Sequence, residues 1–294
     1  MRIRLLGTGT PTPSLRRMCS GYLVEIGNDV ILLDHGFGAH HRLLELGMHA
    51  SRVSHLFFSH LHYDHCGDYA RLVLTRWDQG AGRVPELKVY GPPPLANITE
   101  QLFGNDGVYN VDLVARTKHG CSLSIYEARG GILPRQRPNP HVTELKLGDL
   151  VNEGEWTLEV GDARHFQPYL VTFAFRLRHA GHTLVYSGDS GPIAEMETFA
   201  RGADVLIHMC HHISGTELSP DFADSCMGHK ELAQLASRAG VKNLVLTHIT
   251  EQFDKPGARE RAIGEIAGIF AGNVFFGEDG MEIPIASPAL DKLM

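Results

Sequence analysis

The segment Ser59-His60-Leu61-His62-Tyr63-Asp64-His65-Cys66-Gly67 constrains this chain most. Four side chains able to bind a metal fall within six residues, directly after the apolar run Leu56-Phe57-Phe58. Successive residues at a strand end point to opposite sides. His60 and His62 can therefore serve one ion while the following turn swings Asp64 and His65 toward another. A polar loop with fortuitous histidines is the plainer reading, but three more segments put a His or Asp at the polar end of an apolar run. They are Ala163-Arg164-His165-Phe166, Val185-Tyr186-Ser187-Gly188-Asp189 and Leu244-Val245-Leu246-Thr247-His248. Strand ends are where ligands gather in α/β proteins.

The histidine count of 18 in 294 residues turns the question to metal chemistry, and the 43% hydrophobic content suits a buried core. A formal charge of −7 argues against a broad basic surface for phosphate backbones. Five widely spaced cysteines, with no CxxC pair, read as reduced thiols. Neither a basic, apolar leader nor an unbroken apolar run of about 20 residues is visible, so a cytoplasmic protein without a membrane partner is expected.

Short apolar runs predict strands at 2–6, 22–26, 30–34, 55–59, 87–90, 121–127, 156–160, 170–177, 182–187, 204–208, 243–247, 274–276 and 281–284. Helical periodicity predicts helices at 39–46, 95–103, 193–200, 229–239 and 259–270. In the 229–239 helix, Leu232, Leu235, Ala236 and Ala239 line one face and Gly240 ends it. Two facing sheets with helices outside follow from that order. The whole of 1–294 reads as one domain, with an irregular insertion at about 104–140 that carries the cluster Pro134, Arg135, Arg137, Pro138 and Pro140.

The motif HxHxDH, followed in order by a His, an Asp and a last His, resembles the metallo-β-lactamase superfamily. The resemblance implies an α/β fold, a four-layer αββα sandwich of two mixed β-sheets flanked by helices. It also implies one metal on His60, His62 and His165, a second on Asp64, His65 and His248, and Asp189 bridging both. His141, His179 and His182 lie in the same half of the chain as His165. His165 is preferred because it follows the 156–160 strand and precedes the 170–177 strand. Asp34, in Leu32-Leu33-Asp34-His35-Gly36, matches the family's early Asp, which supports the metal loop from behind and fixes the tautomer of a ligand histidine.

Leu6-Gly7-Thr8-Gly9-Thr10-Pro11, with Arg17 and Ser20, resembles the branch that holds ribonuclease Z, phosphodiesterases and certain arylsulfatases. There a His after Gly opens a helix facing the substrate, which maps onto Gly228-His229. His229 would protonate a leaving oxygen or pin a nonbridging one. Lys230 departs from the family's small hydroxyl residue. The long RNA-gripping arm should interrupt 175–185, yet only 176–184 connects those strands, so RNA is expected not to be a partner and a small molecule is. The acidic residue expected after the 204–207 strand is replaced by His208-Met209-Cys210-His211-His212. There His211 and His212 are candidates for substrate contact or for support of the ligands.

The chemistry so implied is a metal-bridging hydroxide that cleaves a small ester-type substrate, with Asp64 or His229 managing the leaving-group proton. Phosphodiesters and aryl sulfates come first, with lactones and hydrolytic dehalogenation open. Two divalent ions are the expected cofactors, zinc first, with manganese or iron tolerated. The alternatives are an iron-dependent oxidoreductase on the same fold and a catalytically silent binding protein. Against the first, the related oxygen reductases usually carry Glu at the second motif His and a flavin domain for which this chain has no room; against the second, every ligand position is filled. Dimers are common in the branch, so a homodimer stays open.

Overall fold

The structure, a computed structural model, describes residues 1–285. In chain order the strands are β1 (Arg2–Gly7), β2 (Gly21–Ile26), β3 (Asp29–His35), β4 (His55–Phe57), β5 (Lys88–Gly91), β6 (His141–Glu144), β7 (Leu150–Asn152), β8 (Thr157–Asp162), β9 (Phe173–His179), β10 (His182–Tyr186), β11 (Val205–Met209), β12 (Asn243–Thr247), β13 (Asn273–Phe276) and β14 (Glu282–Ile283). The helices are α1 (Ala39–Glu45), α2 (Tyr63–Cys66), α3 (Tyr69–Gly80), α4 (Leu95–Phe103), α5 (Asn110–Lys118), α6 (Gly120–Ala128), α7 (Ala194–Phe199), α8 (Pro220–Ser225), α9 (His229–Ala239) and α10 (Ala258–Ala267).

Two seven-stranded sheets result, in the orders β14-β1-β2-β3-β4-β5-β6 and β13-β12-β11-β10-β9-β8-β7. Both are mixed. In the first, β3 through β6 run parallel and the rest antiparallel. In the second, β10 through β13 run parallel and β7 through β10 antiparallel.

Residue alternation explains the layering. In β3 and β4, Ile31, Leu33 and Phe57 enter the core between the sheets, while Val30, Leu32 and Leu56 enter the core beneath the outer helices. In β11 and β12, Val205, Ile207 and Val245 face the central core, and Leu206, Leu244 and Leu246 face the core that holds Leu232, Leu235 and Ala236 of α9. Strands buried on both faces read as continuous apolar runs. Each fully buried Leu, Ile or Phe adds roughly 1.5–3 kcal/mol. Gly240 ends α9 at φ 64, a conformation that glycine adopts without the Cβ clash.

The sequence misleads most at 104–140. The expected strand 121–127 lies inside α6, and the stretch read as irregular holds both α5 and α6. Cys121-Ser122-Leu123-Ser124-Ile125-Tyr126 alternates like a strand, but within α6 only Tyr126 is buried. The Pro and Arg cluster is anchored. Arg135 sits 4.0 Å from the Trp77 ring centroid and 5.0 Å from that of Tyr126, and pairs with Asp78 at 2.8 Å. Short strands β6 and β7, unforeseen in the sequence, edge the two sheets. Among the described residues no helix is long and apolar enough to cross a membrane.

Candidate metal centre

Both sheets deliver their functional side chains from the ends of their parallel strands. Asp34 is the penultimate residue of β3, His60 follows β4, Asp189 follows β10, His211 follows β11 and His248 follows β12; His165 comes from the β8–β9 connection. Five non-glycine residues among those described have positive φ, and Asp34 (57°), Phe166 (56°) and His248 (53°) stand at this site. Such conformations persist only where the surroundings over-determine them.

Three groups of side chains hold their donor atoms within 4.8 Å of one another: His60, His62 and His165; His60, His65 and Asp189; Asp64, His65 and His248. Asp189 Oδ2 lies 3.4 Å from His65 Nε2, 3.6 Å from His165 Nε2 and 3.1 Å from His248 Nε2, so it reaches into both outer groups. Asp64 Oδ2 lies 3.5 Å from His65 Nε2 and 3.3 Å from His248 Nε2. Two ligand atoms on one ion, with bonds of about 2.0 Å at a tetrahedral angle, stand about 3.3 Å apart. The spacing suits metal coordination. The buried atoms His60 Nε2, His65 Nε2 and Asp64 Oδ1 have no hydrogen-bond partner, which is costly unless something else satisfies them.

Four of the five rings are held from behind. His65 Nδ1 is 2.8 Å from Asp34 Oδ2, His60 Nδ1 3.0 Å from Ser59 Oγ, and His165 Nδ1 3.0 Å from the Ser225 carbonyl. His248 Nδ1 is 3.1 Å from His211 Nδ1. These partners direct Nε2 toward the centre. Asp34 also accepts from Ser59 N at 2.7 Å, Ser59 Oγ at 2.7 Å and the Tyr186 hydroxyl at 2.5 Å. Tyr186 is a participant that the sequence reading missed; its place two residues before Gly188-Asp189 was the available signal.

Burial and charge divide the cluster's titratable groups. Burial pushes His60, His62 and His165 down, which leaves them neutral and able to donate a lone pair. Burial opposes charge on His65 too, but Asp189 and Asp34 outweigh it and raise that ring well above its ordinary value. Burial likewise works against an ionised Asp189, yet His248 and His65 hold it well below the usual carboxylate range.

The remaining candidates divide. His229 is buried at the start of α9, with Nδ1 accepting from Ser214 N at 3.0 Å and Nε2 2.7 Å from Glu265 Oε2. Both nitrogens are engaged, so in this arrangement His229 has none to offer a leaving group. His212 turns to Glu217 at 3.1 Å, whereas His211 alone of that pair backs a member of the cluster. His208 is buried in β11 with Nδ1 on the Met209 carbonyl. His179 and His182 close the β9–β10 hairpin and His141 lies on edge strand β6, so only His165 joins the cluster.

A family model described as a Beta-lactamase superfamily domain matches residues 29–249. The chain belongs to the metallo-β-lactamase superfamily. It is 30% identical over 285 residues to the ribonuclease Z of Mycolicibacterium gilvum (strain PYR-GCK), covering 95% of this chain and 94% of that one. It is 30% identical over 295 residues to the ribonuclease Z of Mycobacterium avium (strain 104), covering 98% and 100%. Among solved structures, the metallo-β-lactamase fold protein YhfI from Bacillus subtilis matches with a TM-score of 0.71 at 19% identity, covering 96% of this chain and 99% of that one. The short form of human tRNase Z matches with 0.68 at 20%, covering 98% and 100%. As a superfamily member with this fold and these relatives, the chain is a metal-dependent hydrolase.

These relatives correct one expectation. The short β9–β10 connection predicts no RNA partner, and that connection is a tight turn at Ala180 and Gly181, with φ of 49° and 80°. Relatives named ribonuclease Z nevertheless match almost end to end. A missing segment in one hairpin removes a gripping surface but does not decide which bond the strand-end cluster can cleave.

Proposed function

We propose that this chain, acting as one domain, is a binuclear metal hydrolase of phosphodiesters, with an RNA phosphodiester ahead of an aryl sulfate. The observation that carries the reading is the position of Asp189 Oδ2 between two outer ligand groups. The ribonuclease Z relatives favour phosphorus over sulfur at the reacting centre.

His60, His62 and His165 would hold one divalent ion, Asp64, His65 and His248 the other, with Asp189 shared. Two ions so held would supply an activated water and Lewis acids for the phosphoryl oxygens; the histidine and carboxylate set suits zinc first. The chain's own part is to orient and to move protons. Asp34 keeps the His65 proton on Nδ1, and His211 fills the same role behind His248. Besides holding its ion, Asp64 would take the proton given up by the activated water and pass it to the leaving oxygen. His229, fastened to Glu265 and Ser214, would brace the turn that carries His211 and His212.

The test is a substrate panel on metal-stripped protein with and without restored zinc: a chromogenic phosphodiester, an aryl sulfate, a lactone and an RNA with a 3′ extension. Zinc-dependent cleavage of diester and RNA, faster than that of sulfate or lactone, is expected. Preference for the sulfate, or hydrolysis indifferent to metal, would overturn the reading.

A further inference from the structure

Phe166 follows His165 directly, stands 53% exposed and has φ 56°, a region that bulky residues avoid. Hydrogen bonds of its neighbours fasten the loop on either side. Gln167 Oε1 accepts from His165 N at 2.7 Å, and Gln167 Nε2 donates to the Ala163 carbonyl at 2.8 Å and Thr172 Oγ1 at 2.9 Å. The ring stands edge-on to His165, at 4.4 Å between centroids, and to His62 at 5.4 Å. On the chain next to His62, Tyr63 is 58% exposed and its ring lies 6.1 Å from that of Phe37, itself 51% exposed. Large apolar rings left in water beside a reactive cluster, one of them in a strained backbone, call for a binding role.

We propose that Phe166, across His62 from the exposed Tyr63 that follows it in the chain, forms an aromatic subsite that receives a planar ring attached to the phosphoryl group, either a nucleobase or an aryl substituent. The proposal rests on the hydrolase reading above and adds what the substrate carries next to the reacting phosphorus. Stacking on such rings is tolerant of base identity, because every base has a π-face.

The test compares paired ligands that differ by the ring alone: methylphosphonate with phenylphosphonate, and ribose 5-phosphate with adenosine 5′-monophosphate. Binding to the zinc-loaded protein is read by calorimetry. In the wild type the ring-bearing member of at least one pair should bind about tenfold tighter, toward the low end for a stacked base. Which pair shows the gain tells an aryl group from a nucleobase. F166L, which keeps apolar bulk, should erase most of that gain while methylphosphonate binds as before, and Y63L serves as a second variant should F166L melt early. A gain that survives both substitutions overturns the subsite. So does equal weakening of both ligands of a pair, since that would mean the ring merely props His62 and His165. Failure of methylphosphonate to bind the zinc-loaded wild type would overturn the hydrolase reading and the subsite with it, whereas its binding without any ring-dependent gain overturns the subsite alone.

Discussion

Replacing Asp34 by Asn should weaken metal binding through the tautomer of a neighbour. The carboxylate is fully buried and takes four donors: Ser59 N and Ser59 Oγ at 2.7 Å, His65 Nδ1 at 2.8 Å and the Tyr186 hydroxyl at 2.5 Å. The Ser59 backbone N–H cannot rotate, so the Asn carbonyl must stay there and the new NH2 group must face the other three. Both hydroxyls can turn and accept. The imidazole can accept only by moving its proton from Nδ1 to Nε2, the atom aimed at the centre, and a protonated Nε2 binds no cation. Loss of such a supporting partner costs about 10–100-fold in metal affinity, or about 1.4–2.7 kcal/mol. D34A instead leaves His65 free to take either tautomer but strands buried donors, at about 1–3 kcal/mol each. Zinc affinity should therefore fall in the order wild type, D34A, D34N, while thermal stability falls in the order wild type, D34N, D34A. Competition against a chromophoric chelator and a melting curve measure both. Wild-type zinc affinity in D34N would refute the reasoning.

Three further outcomes are expected. A Cβ on Gly36 would come 1.9 Å from the Asp64 carbonyl oxygen, so G36A should lose bound metal while its circular dichroism stays that of the wild type; full metal content would contradict the packing. H211A removes the partner of His248 Nδ1, and in a zinc titration it should weaken one of two binding events by about tenfold and spare the other. Burial pushes His208 from 6.5 down to about 4. Unfolded chains take up that proton below pH 6.5 and the folded protein only below about 4, so stability is complete above pH 6.5 and is lost as the pH falls between those values. The melting temperature of H208Q should accordingly fall less steeply over that range than that of the wild type.

What could be read in advance was local. His60, His62, Asp64 and His65 fall within six residues where β4 passes into α2, and Asp189 and His248 follow apolar runs, so spacing singled them out. The order of strand and helix signals likewise implied two facing sheets with helices outside, and strand pairing bears this out in two seven-stranded sheets. Convergence across the fold was hidden: Tyr186 meets Asp34 across 152 positions, and His229 meets Glu265 of a different helix. Helix α6 was mistaken for a strand because its apolar residues alternate, while burial selects Tyr126 alone. The strain at Phe166 belongs to the backbone, and no residue pattern announces it.

Restoring metal to stripped protein in stepwise equivalents, with phosphodiester hydrolysis as the readout, tests the binuclear centre most directly. Activity that climbs to a plateau at two equivalents per chain is the expected result, matching two ligand groups joined by Asp189. A plateau at one equivalent, or no recovery with any divalent ion, would contradict it.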